Sequence, residues 1–141
     1  MKATLLLADY AVVADGKLTI VGGGWSMTGP MPMPFAIALK LEVPWHEALH
    51  KHSLRLELVD ADGEPVQVPT PQGMRPALIE GGMEASEIPA DIKPGTPIDV
   101  NLAFMSGPIP TLQPGHRYEW RLTVDGKQRE DWFVAFSIRA A

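Results

Sequence analysis

The fold is decided by one stretch near the end of the chain, Tyr118-Glu119-Trp120-Arg121-Leu122-Thr123-Val124-Asp125-Gly126. Its apolar residues fall at every second position, so they share one face of an extended strand, and the polar residues share the other. Asp-Gly then supplies the positive φ angles that a tight hairpin turn needs. A second alternating run, residues 132–138, follows this turn. The stretch predicts a hairpin with one face against a core.

The same alternation recurs along the chain, in residues 35–43, 54–58 and 98–104. In the first of these runs Ala36 and Ala38 fall on the face opposite to the large apolar residues, which predicts a half-buried strand. Weaker strand signals occupy residues 65–68 and 77–85. We find no helical pattern long enough for a crossover between parallel strands, so parallel α/β folds are disfavoured.

Two further Asp-Gly pairs mark turns between the predicted strands. Asp15-Gly16 joins the first segment to residues 17–28, and Asp62-Gly63 follows the strand at 54–60. We therefore predict an all-β fold, an antiparallel β-sandwich of about 7–9 strands with one short connecting helix or turn. Residues 1–141 are expected to form a single domain.

Residues 112–120 resemble the tyrosine corner of immunoglobulin-like sandwiches. In that motif a tyrosine near the start of a strand hydrogen-bonds to the backbone just upstream, and the residue two positions later enters the core. Tyr118 and Trp120 occupy these two positions. The resemblance implies an immunoglobulin-like sandwich and nothing about function.

Composition excludes several classes of function. The 12 lysines and arginines are scattered and the net charge is −5, so we expect no binding to nucleic acid. No stretch approaches the roughly 20 apolar residues of a membrane span. The apolar run after Met1-Lys2 ends at Asp9, too early for a signal peptide, so a cytoplasmic protein, or a virion component made in the cytoplasm, is expected. The chain lacks cysteine, which excludes disulfides and Cys-ligated metals.

The segment His46-Glu47-Ala48-Leu49-His50 matches the H-E-x-x-H motif of zinc metalloproteases. That motif works on a helix, where two histidines four residues apart share one face and the glutamate acts as general base. Predicted strands end just before it and begin just after it, which favours a short connection. We therefore expect no metal or cofactor, and keep a zinc site at His46 and His50 as the alternative. His52 offers a second, adventitious metal contact beside His50.

Three consecutive glycines, Gly22-Gly23-Gly24, lack the remaining residues of a phosphate-binding loop. They are followed by Trp25 rather than by the start of a helix. We interpret them as a bulge or a close crossing of strands.

Two apolar loops are rich in proline. Residues 28–34 alternate proline with Met31 and Met33, and residues 105–112 contain Ile109 between two prolines. Proline keeps such a segment extended and out of a central strand. Exposed methionine and isoleucine there would form an adaptable contact surface. Met31, Met33 and Ile109 are therefore the predicted interaction surface, and the competing interpretation is that these loops fold back over the open ends of the sandwich.

Four segments together resemble an uncharacterised family of small proteins from actinobacteria and their phages: residues 6–11, 16–18, 21–25 and 56–63. The resemblance implies a one-domain family without an assigned activity or cofactor. It therefore carries no functional residue over to this chain.

The expected function is that of a non-enzymatic structural or protein-interaction module, acting by self-association or by docking on a protein partner. A narrower version is a phage capsid or tail accessory protein. One alternative is a zinc-dependent hydrolase centred on His46, Glu47 and His50. The other is a small-ligand binder that uses Trp25, Trp45 or Trp132 around an apolar cavity of about 300 Å³ or more.

Overall fold

The computed structural model describes residues 1–84 and 88–141. These residues form eleven strands and one 3-10 turn, Trp45–Glu47. The strands are β1 (Lys2–Ala14), β2 (Lys17–Gly23), β3 (Met27–Thr28), β4 (Phe35–Val43), β5 (His52–Asp60), β6 (Gln67–Thr70), β7 (Gly73–Pro76), β8 (Leu78–Met83), β9 (Ile98–Ser106), β10 (Arg117–Val124) and β11 (Lys127–Ile138). Within the described part of the chain, no helix has the length and apolar character needed to cross a membrane.

The all-β class and the short connecting turn are confirmed, but the predicted 7–9 strands are too few. The additional elements are short: β3 has two residues and β7 has four, whereas β6 corresponds to the predicted strand at 65–68, shifted by two residues. Segments of this length are too short for an alternating pattern to be recognised. The predicted strand at 77–85 corresponds to β8, and its last residue lies outside the described residues.

Two sheets account for most of the strands. The first sheet has the order β2-β1-β4-β9, and the second has the order β3-β11-β10-β5-β8. β6 and β7 form a separate pair. All strand neighbours are antiparallel except β3 and β11, which are parallel where Met27 and Thr28 lie beside Ser137 and Ile138. The fully antiparallel arrangement that we predicted is wrong at this edge, because β3 arrives from the other sheet and not through a hairpin.

The crossing between the sheets lies at the three glycines. The chain leaves the first sheet at the end of β2 and enters the second at β3. Gly22 and Gly24 have φ angles of 60° and 87°, which residues with a Cβ rarely adopt. A side chain at Gly22 would also collide with the carboxylate of Asp9, since its Cβ would lie 2.3 Å from Oδ2. The three glycines thus lie where β2 ends and the chain passes to the second sheet.

The two sheets enclose one hydrophobic core. Alternate residues of the predicted strands face it, as the period-two pattern indicated. Fully buried examples from the two sheets are Leu7, Ile37, Leu39, Leu41, Leu56, Leu58, Trp120 and Leu122.

The outer face of the first sheet carries a second, smaller core, which the sequence did not predict. Ala36 and Ala38 point away from the main core and yet are buried, so the expected half-buried strand is wrong at these positions. The long β1 curls so that its hairpin with β2 packs Leu18 and Ile20 against the alanines. The side-chain amide of Asn101 donates to the carbonyl of Gly16 in the hairpin turn, at 2.8 Å. Methyl side chains leave the room that this second layer occupies.

All three predicted turns form, but only two have the predicted backbone: at Asp62-Gly63 the N–H of Gly63 donates to the carbonyl of Asp60 at 3.0 Å, and only the glycine has a positive φ, 80°. Asp15 and Gly16 have φ angles of 52° and 71°, and Asp125 and Gly126 have 52° and 76°. Positive φ at both central residues is the geometry of the tight hairpin turn that Asp-Gly favours. At the predicted tyrosine corner, the backbone N–H of Gln113 donates to the hydroxyl of Tyr118 at 2.9 Å.

Candidate functional site

An apolar groove of about 490 Å³ opens where the two sheets meet, and we call it the methionine groove. It is lined by residues 28–35 together with Asp9, Trp25, Ile109, Leu112, Phe136 and Ile138. The structure thus brings together all three residues of the predicted interaction surface, although they come from two loops more than 70 residues apart in sequence.

Met31 and Met33 form the exposed rim of this groove. They are 72% and 64% exposed, more than any other large apolar residue among the described ones. Pro30, Pro32 and Pro34 alternate with them, and because proline has no backbone N–H, the loop stays outside both sheets. The methionines are therefore held at the surface by the backbone and not by packing.

Ile109 lies in the wall of the groove, where it is only 7% exposed. The sequence predicted an exposed side chain here, and that part of the prediction is wrong. The loop that carries Ile109 folds back over the open end of the core, which was the competing interpretation. The same residue lines a second concavity of about 330 Å³, on the side of Met105 and Trp120. Ile109 therefore separates two neighbouring apolar depressions.

The floor of the methionine groove is aromatic. The ring of Trp25 meets Phe35 and Phe136 edge to face, with centroids 6.2 and 6.1 Å away. Phe35 starts β4 in the first sheet and Phe136 lies on β11 in the second, so the indole ring closes the gap between the sheets. The indole Nε1 of Trp25 is shielded from solvent, and among the described residues it has no hydrogen-bond acceptor. Burying such a donor without a partner costs about 1–3 kcal/mol.

Asp9 is the only charged residue among the described ones that line the groove. It lies on β1 just beyond Ala8, the last residue that pairs with β4. Its side chain is exposed, and within the described ranges it forms no ion pair. Sequence reasoning missed Asp9 as a site residue, because only the crossing at Gly22 brings it to the groove.

The H-E-x-x-H segment does not form the helix that a zinc-protease motif requires. Within residues 44–52 the backbone makes a single 3-10 turn, Trp45–Glu47, before β5 begins. The side chain of His46 is 79% exposed, and its Nε2 lies 3.7 Å from the carboxylate of Glu47. His50 is also exposed. In the described part of the chain, no three histidine or acidic side chains lie close enough together to hold a metal ion.

His52, which we predicted as an adventitious metal contact, has another role. It is 6% exposed, and its Nδ1–H donates to the carboxylate of Asp125 at 2.6 Å. Its Nε2–H donates to the backbone carbonyl of Glu47 at 2.9 Å. Both ring nitrogens are thus committed to protein acceptors, so His52 is not free to bind a metal. The only sequence signal for its burial is its position two residues before Leu54, on the core face of β5.

The charges around His52 shift two pKa values. Burial by itself lowers the pKa of His52, but the hydrogen bonds to Asp125 and to the Glu47 carbonyl outweigh it and raise the pKa above 6.5. The hydrogen bond from His52, with a second from the Ser53 backbone N–H, lowers the pKa of Asp125 below 3.8. The pair therefore favours a charged imidazole facing a charged carboxylate.

The other two tryptophans proposed as pocket residues lie elsewhere. Trp45 lines an open depression beside Met1 and Lys2. Trp132 lines a polar depression, where the guanidinium of Arg129 lies 5.3 Å from the centre of its ring. Of the three, Trp25 alone belongs to the methionine groove.

Residues 3–135 match the model of a family of unknown function (DUF6941). No curated protein matches the chain.

Proposed function

The chain belongs to the family DUF6941, whose function is unknown, and we propose from its geometry that it is a non-enzymatic protein-interaction module. Its binding site is the methionine groove. The partner is another protein or a second copy of the chain, and it inserts apolar side chains between the Met31–Met33 rim and the aromatic floor.

The observation that carries the proposal is the exposed methionine pair beside a concave apolar surface. Two unbranched, polarizable side chains at a rim can adjust to different partner shapes. A contiguous exposed apolar patch next to a cavity is characteristic of a binding surface, whereas scattered apolar residues are ordinary. Met31 and Met33 contribute nothing to the buried core, so folding alone does not account for their exposure beside the groove.

A protein segment fits this surface better than a compact molecule does, because the surface continues past Ile109. The second depression, lined by Met105 and Trp120, begins on the other side of that residue. In an extended peptide, side chains on the same face repeat at about 6.6 Å. Such a segment places one side chain in the methionine groove and another beyond Ile109.

The test replaces the two methionines of the rim by serine. Peptides selected from a displayed random library on the wild-type chain are expected to bind the double variant Met31→Ser/Met33→Ser about tenfold or more weakly, because two apolar contacts are lost. Met74→Ser is the matched control: Met74 is also exposed, at 52%, and it does not line the groove. Sedimentation equilibrium of the same three proteins tests self-association through the rim.

The contrary outcome is equally clear. If neither selected peptides nor a second copy binds in a way that depends on Met31 and Met33, the proposed function is wrong. Native mass spectrometry of the purified chain tests separately whether zinc is bound. Zinc retained by the wild type and lost in His46→Ala would favour the hydrolase alternative instead.

A small apolar ligand is the second candidate, favoured by the volume of the groove. About 490 Å³ exceeds the roughly 300 Å³ that a small-ligand pocket needs. Labelled methionine methyl groups distinguish the two candidates by nuclear magnetic resonance. An extended protein segment is expected to shift the signals of Met31, Met33 and Met105, whereas a small ligand shifts only those of the first two.

We also infer an immunoglobulin-like topology, supported by the hydrogen bond to Tyr118 and by the buried Trp120. An origin in actinobacteria or their phages, and a role in a virion, stay predictions. They are compatible with a binding module of this size.

A further inference from the structure

The methionine groove combines an apolar surface with one isolated negative charge. Asp9 has no ion-pair partner among the described residues, and the rest of the lining is neutral. Gly22 lets this carboxylate lie against the backbone, because any side chain at that position would overlap it. The absence of a side chain at Gly22 therefore leaves room for this charge beside the groove.

The floor offers a second polar group. Nε1 of Trp25 is a hydrogen-bond donor that no protein acceptor satisfies within the described ranges. A peptide carbonyl that reached it would recover the cost of its burial. The groove thus presents a negative charge and apolar walls to its partner, and the buried N–H donor of its floor lacks an acceptor among the described residues.

We propose that the partner segment is an extended peptide that carries a lysine or arginine next to an apolar residue; this rests on the proposed function. The apolar side chain enters the groove, and the basic side chain pairs with Asp9. Charge complementarity supports this occupant, since Asp9 is unpaired and the chain as a whole carries a net charge of −5. An ion pair at the edge of an apolar wall is less screened than one in open solvent.

The experiment compares peptides selected from a displayed random library on the wild-type chain. We expect selected sequences to be enriched in a basic residue beside leucine, methionine or phenylalanine. Synthetic copies are then made in which that basic residue is lysine, glutamine or glutamate. Replacing lysine by glutamine is expected to weaken binding about twofold to fivefold in the wild type and to have little effect in Asp9→Asn.

Asp91→Asn is the matched control, because it removes the same charge from an exposed residue that does not line the groove. It is expected to keep the preference for lysine. Asp9→Lys is expected to reverse the preference, so that the glutamate peptide binds best. Because Asp9 is exposed, Asp9→Asn and Asp9→Lys are both expected to fold, and thermal unfolding checks this.

The indole N–H signal of Trp25 supplies a readout that depends on the groove itself. The chain has four tryptophans, so its indole region contains few signals, and Trp25→Phe identifies the relevant one. A downfield shift on saturation with the lysine peptide is expected if a carbonyl reaches Nε1.

Failure of this inference differs from failure of the proposed function. Peptides that bind through Met31 and Met33 without a basic preference, or with an acidic one, would overturn the inference and leave the interaction module standing. If no peptide depends on the methionine rim, the inference falls together with the proposed function.

Discussion

At the scale of single residues, His52 shows how two hydrogen bonds determine a charge. Both of its partners, the Asp125 carboxylate and the Glu47 carbonyl, are acceptors only. A neutral imidazole has a single N–H and can satisfy only one of them. Only a doubly protonated ring makes both hydrogen bonds, and the raised pKa of His52 and the lowered pKa of Asp125 favour this form.

This pair predicts a pH dependence of stability. Because the folded-state pKa of His52 lies above 6.5, its stabilisation is complete below that value and is lost as pH rises through the folded-state pKa. Because the pKa of Asp125 lies below 3.8, its stabilisation is present above 3.8 and is lost as pH falls through the folded-state pKa. The free energy of unfolding from urea titration should therefore fall as pH rises from about 6.5 through the folded-state pKa of His52.

The variant Asp125→Asn isolates this effect. Asparagine tolerates the positive φ of 52° in the hairpin turn, so the turn itself is preserved. The fall in stability with rising pH should shrink in this variant, because a neutral amide no longer favours the charged ring. His116→Gln, which changes an exposed histidine, should retain the full pH dependence. An equal pH dependence in Asp125→Asn and the wild type would contradict the assignment.

At the scale of elements, the hairpin of β1 and β2 depends on small residues beneath it. Ala36 and Ala38 are buried under Leu18 and Ile20, on the outer face of the first sheet. The register places Lys40 two residues further along β4, where the hairpin no longer covers the sheet. The change from alanine to lysine along one strand face therefore marks where the second layer ends.

Enlarging one of these alanines tests the packing. Ala38→Leu should destabilise the fold by about 1–3 kcal/mol, because the added methylene groups have no space under the hairpin. Urea unfolding measures the loss, and faster hydrogen exchange within β2 would locate it. Lys40→Leu places the same side chain on the same face outside the hairpin. It removes only the partly exposed ion pair with Asp99 and should change stability by less than about 1 kcal/mol. Equal losses in the two variants would refute the second layer.

At the scale of the whole molecule, the two sheets depend on each other through shared aromatic contacts. Phe35 of the first sheet lies 6.3 Å from both Trp120 and Phe136 of the second, measured between ring centres. Each sheet alone would leave its core face exposed to water. The sheets are therefore expected to unfold together.

Cooperative unfolding can be measured directly. Tryptophan fluorescence, which includes Trp120 and Trp132 of the second sheet, should report the same urea midpoint as far-ultraviolet circular dichroism, which reports all strands. Two separated midpoints would show that one sheet survives without the other. Phe35→Leu should lower the urea midpoint by the same amount in fluorescence and in circular dichroism, because it weakens the contact between the sheets.

The candidate site could be predicted from the sequence only in part. Met31 and Met33 were recognisable, because alternating proline keeps a loop out of the sheets whatever the rest of the chain does. Trp25 was named among three tryptophans, but nothing in the sequence separated it from Trp45. Asp9 gave no signal, since its position beside the groove depends on a crossing 13 residues later in the chain.

The sequence alone determined the local structure: the alternating strands, the Asp-Gly turns, and the hydrogen bond from the backbone just upstream to the hydroxyl of Tyr118. These features depend on neighbours in sequence, through the two-residue period of a strand and the φ angles that Asp-Gly permits. Only the tertiary structure decided which loops meet, that Ile109 is buried, that the alanines of β4 are covered, and that His52 faces Asp125. These features depend on residues far apart in the chain, and the pairing and curvature of the sheets bring them together.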